Sequence, residues 1–257
     1  MTSMSAYPAV TLVSDYFWPF CRILALFSTA PILSDKSVNS RVRIGLALCI
    51  SLLITPLLPD SGIRLFSLPG LMTLCRQLML GMALGWGMTL VFAAIRQAGE
   101  VIGMQMGLSF ASFYDQSSRS ALPVLARILY SLALLLFLSI DGHLLLLRLL
   151  TETFISLPVG HEHHQMPFFS GLCELAGIIF SSALRLALPL ILLLLTLNMT
   201  MGLLNRMSPQ LSVFVIGFPL TLSLGILSCG WLFPWFISYS HQLMVRIIGQ
   251  LTKLLLE

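Results

Sequence analysis

Apolar stretches alternate with short polar joints along nearly the whole chain. The first stretch runs from about Pro8 to Leu33 and holds Asp15, Pro19 and Arg22. A basic joint with Lys36, Arg41 and Arg43 follows. The second stretch, "IGLALCISLLITPLL", is stopped by Pro56 and Pro59. The third, "QLMLGMALGWGMTLVFAAI", lies uncharged between Arg76 and Arg96. The fourth is "GEVIGMQMGLSFASFYDQSSRSALPVLAR", and the fifth, "ILYSLALLLFLSIDGHLLLL", carries Asp141 and His143 near its centre. A polar region from about Arg148 to Glu174 sets off the last part, and a domain boundary is drawn there, 1–174 and 175–257. In that last part "LALPLILLLLTLNMTMGLL" is uncharged, "NRMSPQ" turns the chain, and no Asp, Glu, Lys or Arg occurs from Met207 to Val245. Apolar runs of this length predict an all-α chain. The last two runs, joined by a short polar turn with Pro209 where a new helix would start, predict an antiparallel helical hairpin.

The fourth stretch has a pattern of its own. Gly99, Gly103 and Gly107 recur at every fourth place, and Ala111 continues the series. Four residues advance a helix by about 400°, so these positions form one slowly drifting stripe. Small residues at that spacing let another backbone approach closely, and Gly81 and Gly85 repeat the device earlier. Phe110, Phe113 and Tyr114 follow, then a polar patch with Ser112, Asp115, Gln116, Ser117 and Ser118, and Pro123 restarts a helix. An apolar stem, an aromatic base and a soft polar tip form a candidate plug, since apolar constrictions close pores by excluding water. Spacing alone fits a plain interhelical turn as well. Met104 and Met106 flank the stem as candidate pore lining, and Arg96 and Glu100 are spaced to pair on one helix face.

A helix crosses a bilayer with about 20 apolar residues. The third stretch and the last two meet that length, whereas the second and fifth are short or interrupted. Glu100 lies inside the fourth stretch, where a mid-bilayer charge costs about 3 kcal/mol or more. The basic residues are spread over many joints, with Arg64, Arg76, Arg119 and Arg206 after the first basic joint. They give no clean positive-inside assignment. Helices packed largely against protein would explain this.

Composition narrows the class. Of 257 residues, 57% are hydrophobic and 9% charged. An ordinary soluble domain carries about 25% charged residues, so this chain belongs in a membrane or among apolar partners. The net charge of +4 is scattered, with no basic run for nucleic acid. The N-terminus lacks a positive region ahead of an apolar core and does not read as a cleaved signal. Cys21, Cys49, Cys75, Cys173 and Cys229 are odd in number and lie in or beside apolar stretches, as unpaired buried thiols do. "HEHH", His161 to His164, sits in a polar joint without a metalloprotease pattern and reads as a solvated loop, so neither metal nor cofactor is expected.

Four blocks carry a resemblance: "YFWPFCRILALFSTAPILSDKSVNSRVRIGLAL", "RQAGEVIGMQMGLSFASFYD", "PVLARILYSLALLLFLSIDGHLLLL" and "LLLTLNMTMGLLNRMSPQLSVFVIGFPLTLSLGI". Together they resemble the FliR family of flagellar export-gate proteins, over about Tyr16 to Tyr239. That family is homologous to a core subunit of virulence injectisomes. The resemblance implies a non-enzymatic subunit of the bacterial inner membrane and flagellar basal body. It implies assembly with FliP-like and FliQ-like proteins into a closed, helically staggered entry gate for unfolded export substrates, with FlhB-like and FlhA-like proteins beside it. It implies a FliP-like part over 1–174, a FliQ-like hairpin over 175–257, and a plug loop over 107–118. The chain departs from the family pattern at Gln116, Ala121 and the "DGH" of Asp141 to His143. Two other classes fit less well. A secondary transporter would use Glu100, Asp115 or Asp141 for ion coupling but should show repeat symmetry. An intramembrane hydrolase needs a nucleophile and base or a metal motif, and none is present.

Overall fold

The structure, a computed structural model, describes residues 6–35, 37–59, 62–63, 65–108, 124–160, 168–207 and 213–256. Among the described residues every regular element is helical. The elements are α1 (Ala6–Thr29), α2 (Ser40–Ile54), α3 (Leu68–Gln105), α4 (Val124–Ser139), α5 (Gly142–Ser156), α6 (Phe168–Met207) and α7 (Val213–Leu256). The fold is all-α, as the long apolar runs require.

Local chemistry sets the helix ends. Asn39 is extended at φ −61°, ψ 133°, and its side-chain oxygen accepts the Arg41 N–H at 3.1 Å, satisfying an orphan donor at the start of α2. Just before it, the Ser37 backbone N–H donates to Asp35 at 2.8 Å and holds that carboxyl below the usual carboxylate range.

The second, third and fourth apolar stretches differ in extent from their sequence-based bounds. The α-helix α2 ends at Ile54, ahead of Pro56, as the sequence leads one to expect. The chain continues through a 3₁₀ turn, Thr55–Leu57, with the proline in its first positions, where a missing N–H leaves nothing unpaired. The helical path Ser40–Leu57 thus reaches 18 residues and is long enough to span, which the second stretch alone was not. The third and fourth stretches are one helix, because Arg96 and Glu100 ride in the interior of α3 as an i,i+4 pair rather than ending it.

Asp141 divides the fifth stretch. It adopts the left-handed conformation, φ 53°, and its carbonyl accepts the N–H groups of Leu144 and Leu145 at 2.9 and 3.1 Å to open α5. Aspartate is among the few residues that enter this region at modest cost. Among the described residues, four helical segments are long and apolar enough to cross a membrane: Ser40–Leu57, Leu68–Gln105, Glu174–Met207 and Gly217–Leu254. The α4–α5 pair makes a fifth if counted as one broken span.

The chain forms two compact units, each discontinuous in sequence. One contains 1–90, 141–175 and 246–257, and the other 91–140 and 176–245. In the first, Ile23, Leu26 and Phe27 of α1 pack with Leu80 and Leu84 of α3 and with Leu150 and Phe154 of α5. In the second, Phe92 meets Tyr130 and Phe137 edge-on, at centroid separations of 5.7 and 5.6 Å. Helices α6 and α7 run antiparallel. Tyr239 O–H donates to the Ser182 carbonyl at 3.4 Å, while Gly171, earlier on α6, faces Leu254, later on α7.

Candidate functional site

The small residues of α3 are where other elements come close. A methyl group at Gly81 would overlap the Arg22 carbonyl and sit 2.8 Å from Ala25 Cβ. At Gly85 it would overlap the Thr29 hydroxyl and lie 2.8 Å from Thr29 Cβ. Here α1 and α3 touch nearly backbone to backbone, and Thr89 O–H reaches across to the Thr29 carbonyl at 2.6 Å. At Gly99 the added carbon would lie 2.6 Å from Ala126 Cα, so α3 and α4 meet in the same way in the second unit. Real side-chain carbons do not approach this closely, and only glycine admits the contact. Gly103 is buried one turn further on.

Gly107 does something different. It lies just past α3 at φ 79°. Its N–H donates to the Met104 carbonyl and the Leu108 N–H to the Gly103 carbonyl, both at 3.0 Å. This pair of bonds is a Schellman motif, with glycine at the left-handed position. The helix therefore stops at a fixed point, with the chain set to leave it at Leu108. The two methionines divide. Met106 is 2% exposed, and a methyl on Gly225 would lie 2.6 Å from its terminal carbon. Met104 is 55% exposed. Arg96 Nε lies 3.6 Å from Glu100 Oε1 on a partly exposed face of α3. The candidate plug residues Phe110, Ala111, Ser112, Phe113, Tyr114, Asp115, Gln116, Ser117 and Ser118 lie outside the described residues, as does the HEHH joint. No cluster of metal-ligating side chains occurs among the described residues.

Sequence reasoning passed over Arg22, which is 0% exposed. Its Nε donates to Gln77 Oε1 at 2.6 Å, Nη1 to the Thr153 carbonyl and hydroxyl at 2.9 and 3.1 Å, and Nη2 to the Leu157 carbonyl at 2.9 Å. The guanidinium also lies 4.2 Å over the Phe154 ring. One side chain thus ties α1 to α3 and to the C-terminal end of α5, where the helix dipole favours a cation. A lone arginine inside an apolar helix was the available signal, since such a charge is tolerated only with partners. The partners are 55 to 135 residues away and could not be named from sequence.

This chain is similar to known proteins over nearly its whole length. The model of the family "Bacterial export proteins, family 1" matches residues 13–247. The flagellar biosynthetic protein FliR of Escherichia coli K12 is 51% identical over 242 residues, covering 94% of this chain and 93% of the relative. Its namesake from Pectobacterium carotovorum is 44% identical over 257 residues, covering 100% and 98%. The Bacillus subtilis protein of the same name is 26% identical over 224 residues, covering 86% and 84%. With its all-α architecture and its membrane-length helices, the chain belongs to bacterial export protein family 1, the FliR proteins, as a multi-pass inner-membrane component of the flagellar export apparatus.

Proposed function

We propose that the chain is a non-enzymatic core subunit of the flagellar type III export gate. It forms part of the entry pore for unfolded substrates and closes that pore with the loop that follows Gly107. The observation that carries this reading is the pairing of a fixed helix stop with a tight stem. The helix α3 ends in the Schellman cap at Gly107 and Leu108, and α4 returns against α3 with Ala126 on Gly99. The segment between leaves and rejoins one close-packed stem, and it carries Phe110, Phe113 and Tyr114. Apolar side chains on such a tether suit a constriction that excludes water. Met104, exposed on the last turn of the stem, joins them as candidate lining, and Gly103 keeps the stem thin.

The resemblance to FliR proteins supports a particular set of partners. FliP-like and FliQ-like subunits complete the gate, with FlhB-like and FlhA-like proteins alongside. The chain contributes a FliP-like part over 1–174 and a FliQ-like hairpin over 175–257. The test deletes Ser112 to Ser118. Assembly with the co-expressed subunits should persist, because both stems still pack, while the inner membrane should leak ions and small molecules. Phe113→Ala should leak more than Ser117→Ala, since the serine adds no apolar bulk. Conductance or small-molecule uptake, with a pull-down for assembly, reads the result. A deletion variant that assembles and stays as tight as wild type would reduce the loop to a turn.

A further inference from the structure

A cavity of about 40 Å³ lies in the first compact unit, where the early part of α1 meets the chain just past α2 and the end of α5. Asp15 and Trp18 of α1 form one wall, Thr55 of the 3₁₀ turn a second, and Phe154 and Val159 a third. Trp18 is 1% exposed, yet its indole N–H has no hydrogen-bond partner among the described residues. Buried donors in folded proteins nearly always have an acceptor, so this one calls for one. The buried Thr55 hydroxyl donates to the Ser51 carbonyl at 2.7 Å, and its oxygen can otherwise only accept. Asp15 has a contact of its own, but a carboxylate has about four lone-pair sites. The walls thus hold one donor in need of a partner and two acceptors with capacity left.

Size and chemistry select the group that fits. The volume suits the end of one side chain, or about three waters. An ammonium would bond Asp15 but set its protons against the indole N–H. A carboxylate would accept from Trp18 but meet the charge of Asp15. A hydroxyl has a single donor for two acceptors. A primary carboxamide has a carbonyl for Trp18 and two N–H groups for Asp15 and Thr55. Water has the same groups, but the surroundings are apolar. Leu57 and Ile155, sequence neighbours of the lining residues Leu58 and Phe154, are each at least 80% exposed. A pocket with a polar anchor point beside bare apolar side chains has the form of a protein interface, in which covered apolar contacts keep water from the anchor. Asn and Gln side chains bridge helices in this way in apolar surroundings. We propose that this cavity receives the side-chain carboxamide of an Asn or Gln on a partner subunit. The inference rests on the assembly proposed above and adds to it one pocket and the chemistry that pocket recognises.

The experiment uses the complex purified with its partner subunits. Ultraviolet resonance Raman scattering reports whether an indole N–H is hydrogen-bonded. Subtracting the spectrum of a Trp18→Phe complex isolates Trp18 from Trp86, Trp231 and Trp235. The expected signal is a bonded N–H that resists exchange in deuterium oxide for minutes to hours. A bonded N–H that exchanges at once means water, and an unbonded one means no anchor; either overturns the proposal. A second arm places p-benzoylphenylalanine at position 159 and maps the photo-crosslinked peptides. The link should fall within about one helical turn of an Asn or Gln on a partner subunit. Its yield should drop about fivefold in Trp18→Phe, as loss of one net hydrogen bond implies. Changing that Asn or Gln to Leu should leave the Trp18 N–H unbonded. A link confined to lipid or to this chain, or to a partner segment without a carboxamide, overturns the proposal. Should Trp18→Phe fail to assemble, the crosslink site decides by itself. A chain that does not co-purify with other subunits would remove the gate reading and this inference together, whereas a complex without these signatures removes this inference alone.

Discussion

At the scale of single residues, the strongest constraint is Arg22. It satisfies Gln77, Thr153 and Leu157 at once, in surroundings where water cannot replace it. Arg22→Met keeps apolar bulk but strands the Gln77 amide oxygen and the Leu157 carbonyl, at about 1–3 kcal/mol for each unsatisfied acceptor. Arg148 also bonds a side chain, Glu152 at 3.0 Å, but is 78% exposed, and exposed pairs are worth about 0–1 kcal/mol. The thermal midpoint of the co-purified complex should therefore drop clearly for Arg22→Met and little for Arg148→Met. Equal midpoints would mean that the buried network contributes nothing. Glycines give a second contrast, opposite in sign. Gly81→Ala forces a carbon onto the Arg22 carbonyl, which is backbone and cannot step aside, so destabilisation of about 1–3 kcal/mol is expected. Gly45→Ala meets nothing and removes a flexible residue from a helix, so it should stabilise by about 0.5–1 kcal/mol. Denaturation midpoints of the two variants, falling for one and rising for the other, are the check.

At the scale of elements, how a helix ends matters as much as how it packs. The stop of α3 rests on Gly107 at φ 79°. A residue with a Cβ pays roughly 1–2 kcal/mol in that conformation, and asparagine less. Gly107→Val should thus lower the stability of the complex and shift the departure of the following segment, while Gly107→Asn should come near wild type. Membrane conductance and swarming motility, measured with the midpoint, separate a displaced loop from a merely weakened fold. If valine is as good as asparagine by all three measures, the cap does not fix the loop. At Pro56 the sequence reads a break, and the α-helix does end at Ile54, but the chain adds a 3₁₀ turn that starts where no N–H is needed.

At the scale of the whole molecule, unpaired apolar surface dominates. Leu57, Ile155 and Trp231 are each at least 80% exposed, and long faces of α6 and α7 are similarly bare. Soluble monomers do not leave such area uncovered. Expressed alone, the chain should aggregate or be degraded. Expressed with FliP-like and FliQ-like proteins, it should appear in one large stable particle. Size-exclusion chromatography in mild detergent decides, and a stable monodisperse monomer indifferent to those proteins would count against a gate subunit.

The sequence alone determined the helical class, the membrane setting and the family. Each of these depends on properties that repeat along the chain: apolar run length, scarcity of charge, and ordered motif blocks. It also marked Gly81, Gly85 and Gly99 as small positions, because a missing side chain is visible without knowing its neighbour. Only the tertiary structure decided which backbone each glycine meets, that Gly107 ends a helix, that Met106 is buried against Gly225, and that Arg22 has acceptors on three distant residues. Apart from the local cap at Gly107, those facts depend on contacts between residues far apart in sequence. Helix boundaries fell between the two. Arg96 bounds an apolar stretch in the one-dimensional pattern, yet Arg96 and Glu100, spaced to pair on one helix face, both lie within α3. A charge ends an apolar run, but it ends a helix only if its backbone bonds have somewhere better to go.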